Sequence, residues 1–279
     1  MIGPSARIAT ICGGGSASLP GYYAITPYDG IRAKVDHDIP FTIGAYSHKE
    51  LPLLGLQVKA PTGENGMTFS VYNEAPKVTE RQRVDYKIIT KTDAMLMDYK
   101  PPQNIDGLWY ADIEGLFRPE MDGEYEFGLC VYGTGSLYVD GKMIVDNSTH
   151  QRQGTAFFGT GTLEEKGSFS VKKGSTYHIK VEFASAPTSK LGSGGVVRFG
   201  GGGFRIGGAF VIDPEQEIES AVELARGAAQ VVICAGLNVS FNYHCFSQMN
   251  SKMKMLTRNC RLIGKLKVAI VRACHSLAM

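Results

Sequence analysis

No apolar run in this chain approaches the ~20 residues that a bilayer-spanning helix requires, which argues against a helical membrane span. The stretch from Met1 to Thr10 lacks the basic and long apolar regions of a secretory leader, so the sequence reads as soluble with no visible export signal. Its six cysteines form no Cys-X-X-Cys pair, which removes the usual zinc and dithiol-redox signatures and gives no reason to expect a metal or a cofactor. His48, His150, His178, His244 and His275 show no ligand spacing either, and ordinary surface or core roles are expected for them. An excess of either sign of charge is lacking: 29 Lys and Arg stand against 27 Asp and Glu, a formal net charge of +2, which by itself says nothing about partners. Acidic residues then vanish altogether after Glu223, while Arg226, Lys252, Lys254, Arg258, Arg261, Lys265, Lys267 and Arg272 continue.

What is present reads as β structure. Hydrophobic content of 43% and charged content of 20% are ordinary for a folded chain. Residues 122–147 contain three short strand patterns cut by two turns. Glu124, Tyr125, Glu126 and Phe127 alternate polar and apolar as a half-buried strand does. Gly133-Thr134-Gly135 begins a second strand, and Asp140-Gly141 is a strong two-residue hairpin signal. Similar patterns at Leu56–Lys59, Met67–Val71, Gly107–Leu116, Gly167–Val171, Ser175–Phe183 and Gly195–Arg198 are spaced as in an antiparallel sandwich. Pro101-Pro102 and Gly200–Gly203 read as interruptions.

The flanks differ. A strand pattern at Ala6–Cys12 runs into Gly13-Gly14-Gly15-Ser16. That run lacks the Lys-Ser/Thr ending of a phosphate loop and reads as a tight turn. Asp213-Pro214 with Gln216 marks a helix start, and Ile218, Ala221, Val222 and Ala225 repeat at helical spacing up to Gly227. Gln230–Ala235 is a buried-strand run. The expected organisation is therefore 1–44 as the start of an α/β sandwich domain, 45–211 as a β-sandwich inserted into it, 212–238 as its return, and 239–279 as a divergent basic tail. Within that tail, Met253, Leu256, Leu262, Ile263, Leu266 and Ile270 interleave with cations. An amphipathic basic helix is conceivable, but Gly264 interrupts it, and a frayed, unpaired tail is the expectation.

Candidate chemistry is thin. Asp112, Glu114, Glu164 and Glu165 invite reading as a catalytic carboxylate pair, but their strand and turn context makes them solvated charges. Phe157-Phe158 lies in a glycine-flanked segment, where an exposed ring could stack on a sugar face and a buried one would plug the core. One ring is expected to point inward and the other outward, with Phe158 slightly favoured as the outward one. Asn147-Ser-Thr and Asn238-Val-Ser are glycosylation acceptors if the chain is secreted.

Taken with Ile2-Gly3-Pro4, Gly13–Ala17, Tyr22–Pro27, His48–Gly55, Phe157–Thr162, Ala221–Ala225 and Gly236-Leu237-Asn238, the chain resembles a fungal-type family 3 β-glucosidase carrying a PA14 domain, a carbohydrate-associated β-sandwich. The resemblance implies a mainly β fragment, a PA14 sandwich set into an incomplete α/β sandwich. The parent would have a TIM-like barrel with a nucleophilic Asp and a general acid/base Glu on the sandwich. It would hydrolyse terminal non-reducing β-D-glucosyl residues with retention, in cellulose and β-glucan breakdown. Its partners would be β-glucosides or oligosaccharides, with no nucleic acid and no membrane, and homo-oligomerisation is left open. Such enzymes are often secreted and sometimes intracellular. Phe157 and Phe158 match a loop aromatic that caps the active-site mouth.

The chain departs from the family where catalysis should sit. The barrel has no counterpart in it. The family's acidic run after Gly236-Leu237-Asn238 is replaced by Val239-Ser240-Phe241-Asn242-Tyr243-His244-Cys245. Asn242 and His244, near the carboxylate positions, cannot serve as carboxylic proton donors, so no catalytic residue is assigned and the chain alone is expected to be inactive. The altered tail composition suggests a non-coding or frame-shifted stretch. Calcium-binding PA14 adhesins carry adjacent Asp residues on a loop matching Val131–Gly135, which has none. A stand-alone carbohydrate-binding PA14 module without catalysis is the alternative reading.

Overall fold

The computed structural model describes residues 1–9, 22–45, 48–55, 57–102, 107–192, 197–235 and the strand 267–272. The chain divides into two compact units, Leu51–Val211 and Met1–Glu50 joined with Ile212–Met279. The mainly β, antiparallel fold read from the sequence is borne out.

The Leu51–Val211 unit contains β1 (Val58–Lys59), β2 (Met67–Tyr72), β3 (Arg83–Ile89), β4 (Asp93–Met95), β5 (Tyr110–Phe117), β6 (Gly123–Tyr132), β7 (Thr134–Val139), β8 (Lys142–Asn147), β9 (Glu165–Val171), β10 (Tyr177–Ala184) and β11 (Gly203–Phe210). Among the described residues these form a seven-stranded sheet, ordered β3-β2-β5-β10-β7-β8 with β1 beside β5, and a four-stranded sheet ordered β4-β11-β6-β9. Period-two alternation sends one face of each sheet inward. Phe69, Ile113, Val181, Leu137 and Val145 are successive cross-strand partners, so one apolar row crosses five strands. Tyr125, Phe127, Leu129, Val131, Phe204 and Ile206 belong to the same buried core. Phe204 of the four-stranded sheet stacks on Phe69 of the other at 5.8 Å, and Trp109 meets Phe69, Tyr99 and Phe183 around them.

The two anticipated turns have the geometry their residues call for. Asp140 and Gly141 both have positive φ, 48° and 78°, which matches the right-handed strand twist in a two-residue hairpin. A Cβ on Gly133, which has φ 127°, would lie 2.1 Å from the Ala184 carbonyl oxygen. Three strands were not anticipated: β3, β4 and the glycine-rich β11. Gly203 begins β11 rather than breaking structure, and residues 197–198 are irregular where a strand was expected. Residues 193–196 lie outside the described residues.

The second unit is α/β in character. Asp213 caps the helix Pro214–Arg226 by accepting from the Glu215 N–H. That helix buries Ile218, Ala221 and Ala225 against Ile2, Val231 and Ile233. Ile2 bridges Ile233 in parallel and is tied to it by Ile2 N–H to Val232 O and Cys234 N–H to Ile2 O. Among the described residues near the start, Ile2 makes the strand-like bridge and Pro4–Ala6 is a 3-10 segment; residues 10–12 of the expected Ala6–Cys12 strand lie outside the described residues. Strand β12 (Gln230–Ala235) pairs in parallel with β13 (Lys267–Arg272), from Gln230↔Lys267 to Ala235↔Arg272. This part of the tail is a paired strand, neither frayed nor helical. The expected Gly13–Ser16 turn and residues 239–266 lie outside the described residues.

Candidate functional site

The connection from β8 to β9 carries the two aromatic candidates, and side-chain anchors fix both of its legs. At the first, the Asp146 carboxylate accepts from the Ser148 N–H at 2.8 Å, the Ser148 hydroxyl at 2.6 Å and the Thr149 N–H at 3.1 Å. These donors, the side-chain contact from Ser148 foremost, hold its pKa well below the usual carboxylate range. Gln151 donates to the Gly133 and Asn147 carbonyls. Higher up, Gly154 N–H bonds Gly161 O and Leu163 N–H bonds Arg152 O, which closes the two legs as a narrow ribbon. Arg152 grips Glu165 through two bonds of 2.7 Å.

At the tip the backbone turns left-handed. Phe157 has φ 53° and ψ 51°, Phe158 has φ 58° and ψ 30°, and Gly159 follows with φ 79°. Each non-glycine residue in this region costs about 1–2 kcal/mol, so two in succession persist only where the surroundings dictate them. Here Gly161 N–H bonds Ala156 O at 3.0 Å, and the Thr160 N–H and hydroxyl both donate to Phe157 O. The turn splits the two rings. Phe157 is buried with Cys130 and Phe199, beside Tyr132. Its ring occupies the space that side chains on Gly161 and Gly203 would fill, with Cβ positions 2.5 and 2.9 Å away. Phe158 is 54% exposed. The inward and outward division arises from the left-handed turn, not from extended alternation.

The other sequence candidates fall elsewhere. Asn147 is fully buried, and its Nδ2 donates to Leu129 O and Thr162 Oγ1, both at 2.8 Å. A glycan on that nitrogen would replace one of its two N–H donors, and the residue has no exposed surface from which a sugar could extend. Asn238 lies outside the described residues. Asp112 and Glu164 are buried rather than solvated. Arg81, arriving from the β2–β3 connection, lies 3.8 Å over the Tyr72 ring and reaches Asp112 at 2.8 Å, with Lys180 on the same oxygen at 3.2 Å. Burial pulls the Lys180 pKa down, but Asp112 and Glu182 outweigh it and the value lies above normal. Glu164 pairs with Arg205 at 2.9 Å, Glu165 with Arg152, and Glu114 lies 3.5 Å from His178. Asp112 sits on the seven-stranded sheet, whereas Glu164 leads into the four-stranded one, and each has its own cation. No cluster of three or more His, Cys, Asp or Glu suited to a metal exists among the described residues.

Residues 63–207, more than half the chain, match the PA14 domain. The chain belongs to the PA14 domain family. Comparison with whole proteins extends beyond that sandwich. The chain is 53% identical over 237 residues to a probable β-glucosidase I of Aspergillus clavatus, covering 85% of this chain and 28% of that protein. It is 47% identical over 259 residues to a probable β-glucosidase J of Emericella nidulans, covering 93% of this chain and 30% of that one. A crystal structure of β-glucosidase from Kluyveromyces marxianus in complex with glucose superposes with a TM-score of 0.78 at 29% identity, over 97% of this chain and 32% of that chain. The PA14 domain and its flanks thus span under a third of the β-glucosidases they match, and the resemblance read from the sequence is borne out.

Proposed function

We propose that this chain is the PA14-bearing part of a β-glucosidase, and that its sandwich supplies an aromatic sugar contact through Phe158. The parent enzyme would remove terminal β-D-glucosyl units from β-glucosides such as cellobiose. The observation that carries the reading is an exposed ring on a hydrogen-bonded left-handed turn, in a chain about half identical to proteins named β-glucosidase. An aromatic ring held outward by its backbone turn offers the C–H face of a pyranose a stacking surface at reduced ordering cost. Asp112 and Glu164, the two buried candidate carboxylates, are paired with Arg81 and Arg205, and no catalytic role is assigned to them.

The test uses p-nitrophenyl β-glucoside and cellobiose with the purified chain. No p-nitrophenol release is expected, while cellobiose shifts the Gly159 and Thr160 amide resonances and Phe158→Ala weakens that binding about fivefold. Clear turnover would overturn the non-catalytic reading. Unshifted loop resonances at saturating sugar would overturn the contact.

A further inference from the structure

The four-stranded sheet has an outer face built to be lain upon. Gly203, Arg205 and Gly207 are alternate residues of β11 and share that face, and Gly207 pairs across to Gly128 on β6. A Cβ on Gly203 would meet the Phe157 ring at 2.9 Å, one on Gly128 the Glu164 carboxylate at 2.7 Å, and one on Gly207 the Leu51 side chain and carbonyl at 2.8 Å. Three glycines thus seat three segments: the tip of the aromatic loop, its returning leg, and the chain as it enters the sandwich.

Two charged side chains join these segments. Glu164 accepts from the Leu51 N–H at 3.0 and 3.2 Å, and Arg205 Nη1 donates to Glu164 at 2.9 Å. Arg205 Nη2 donates to the Leu51 carbonyl at 2.6 Å, closing a ring of three residues. Lys166 stands 3.8 Å from the same carboxylate. The incoming segment is fixed further by Gly208 N–H to Pro52 O and Leu54 N–H to Ile206 O. On the other side, Glu164 is two residues from Thr162, whose N–H bonds Val131 O and whose hydroxyl accepts from Val131 N–H.

We propose that Glu164 and Arg205 are positioning residues for Phe158. By clamping Leu51 between them they lock the loop's returning leg to the start of the sandwich, and so fix the height and angle at which the exposed ring is presented. A buried ion pair that served stability alone is replaceable by apolar residues of similar shape. This one also satisfies both backbone groups of Leu51, which an apolar pair would strand. The inference rests on the sugar-contact reading for its purpose, while the coupling itself can be measured without sugar.

Arg205→Lys separates the two. A lysine keeps the charge but replaces the planar fork, whose two separate nitrogens reach Glu164 and the Leu51 carbonyl, with one compact ammonium that cannot occupy both nitrogen positions. Hydrogen exchange on the full chain should then show about tenfold faster exchange at Leu51, Leu163, Thr160 and Gly161, with Ile113 and Val181 unchanged. Glu164→Gln should give the same pattern more strongly. Faster exchange at Leu51 alone, an equal rise at all amides, or no change would each overturn the coupling. In a cellobiose titration, Arg205→Lys should weaken binding as Phe158→Ala does, and the double variant should be no weaker than either. If Phe158→Ala leaves affinity untouched, the sugar-contact reading fails while the exchange pattern still decides the clamp.

Discussion

Asn147 and Thr162 meet at 2.8 Å across the base of the aromatic loop, joining the last residue of β8 to the leg that returns toward β9. The same amide nitrogen reaches the Leu129 carbonyl on β6, and Thr162 accepts from the Val131 N–H, so two residues tie loop and sheet together. Asn147→Ala would remove the buried bonds to the Leu129 carbonyl and the Thr162 hydroxyl and should destabilise the sandwich by about 2 kcal/mol in denaturant unfolding. In protein expressed through a secretory route, mass spectrometry of the folded, soluble fraction should find the Asn147 peptide unmodified.

The glycine seats predict a graded set of alanine substitutions. Gly203→Ala places a methyl against the Phe157 ring, and Gly128→Ala places one against the Glu164 carboxylate. Each should cost about 1–3 kcal/mol by forcing a buried neighbour aside. Gly192 and Gly200 have open space at the same position, and alanine there should leave the thermal midpoint within about 1 °C of wild type.

The left-handed turn sets stability against presentation. Phe158→Asn places in that turn a residue that adopts the conformation readily, and should raise stability by about 1 kcal/mol while removing the exposed ring. Phe157→Ala should do the reverse in sign, losing about 3 kcal/mol because its ring fills a buried seat. Calorimetry of the two variants checks both; equal shifts would mean the turn is not strained.

Acid should release the first anchor of the loop. The folded-state pKa of Asp146 is depressed below its ordinary 3.8. A depressed carboxylate contributes its stabilisation fully above the unfolded value and loses it as pH falls through the folded one. Ser148 and Thr149 amides should therefore stay protected at neutral pH and begin to exchange faster only below about pH 4, the ordinary Asp value. In Asp146→Asn that pH dependence should disappear.

Much of this was legible in the residues, and the exceptions share a cause. Strands β6, β7 and β8 were readable because alternation and an Asp-Gly turn lie within a few residues of each other. The helix Pro214–Arg226 was readable because its cap, its proline and its apolar spacing agree. Strand β11 was not. Its glycines at 203, 207 and 208 signal a break locally, and they are there because segments far away in sequence lie against them. The burial of Asp112 and Glu164 was hidden for the same reason: Arg81 and Arg205 reach them from 31 and 41 residues away. The divided rings of Phe157 and Phe158 were anticipated, but the left-handed turn that divides them depends on tertiary contacts that the local glycines only hint at.

The sandwich starts and stops on the same strand. Leu53 bridges Gly207, Arg205 binds the Leu51 carbonyl, and the unit leaves at Val211, just past the end of β11. A body whose two termini are neighbours can be spliced into a recipient loop, or cut out of it, while asking the recipient to part its own backbone by little more than the width of two strands. Transplantation of residues 51–211 between unrelated scaffolds is therefore an engineering route that this architecture leaves open, with the glycine-paved strand as its built-in socket.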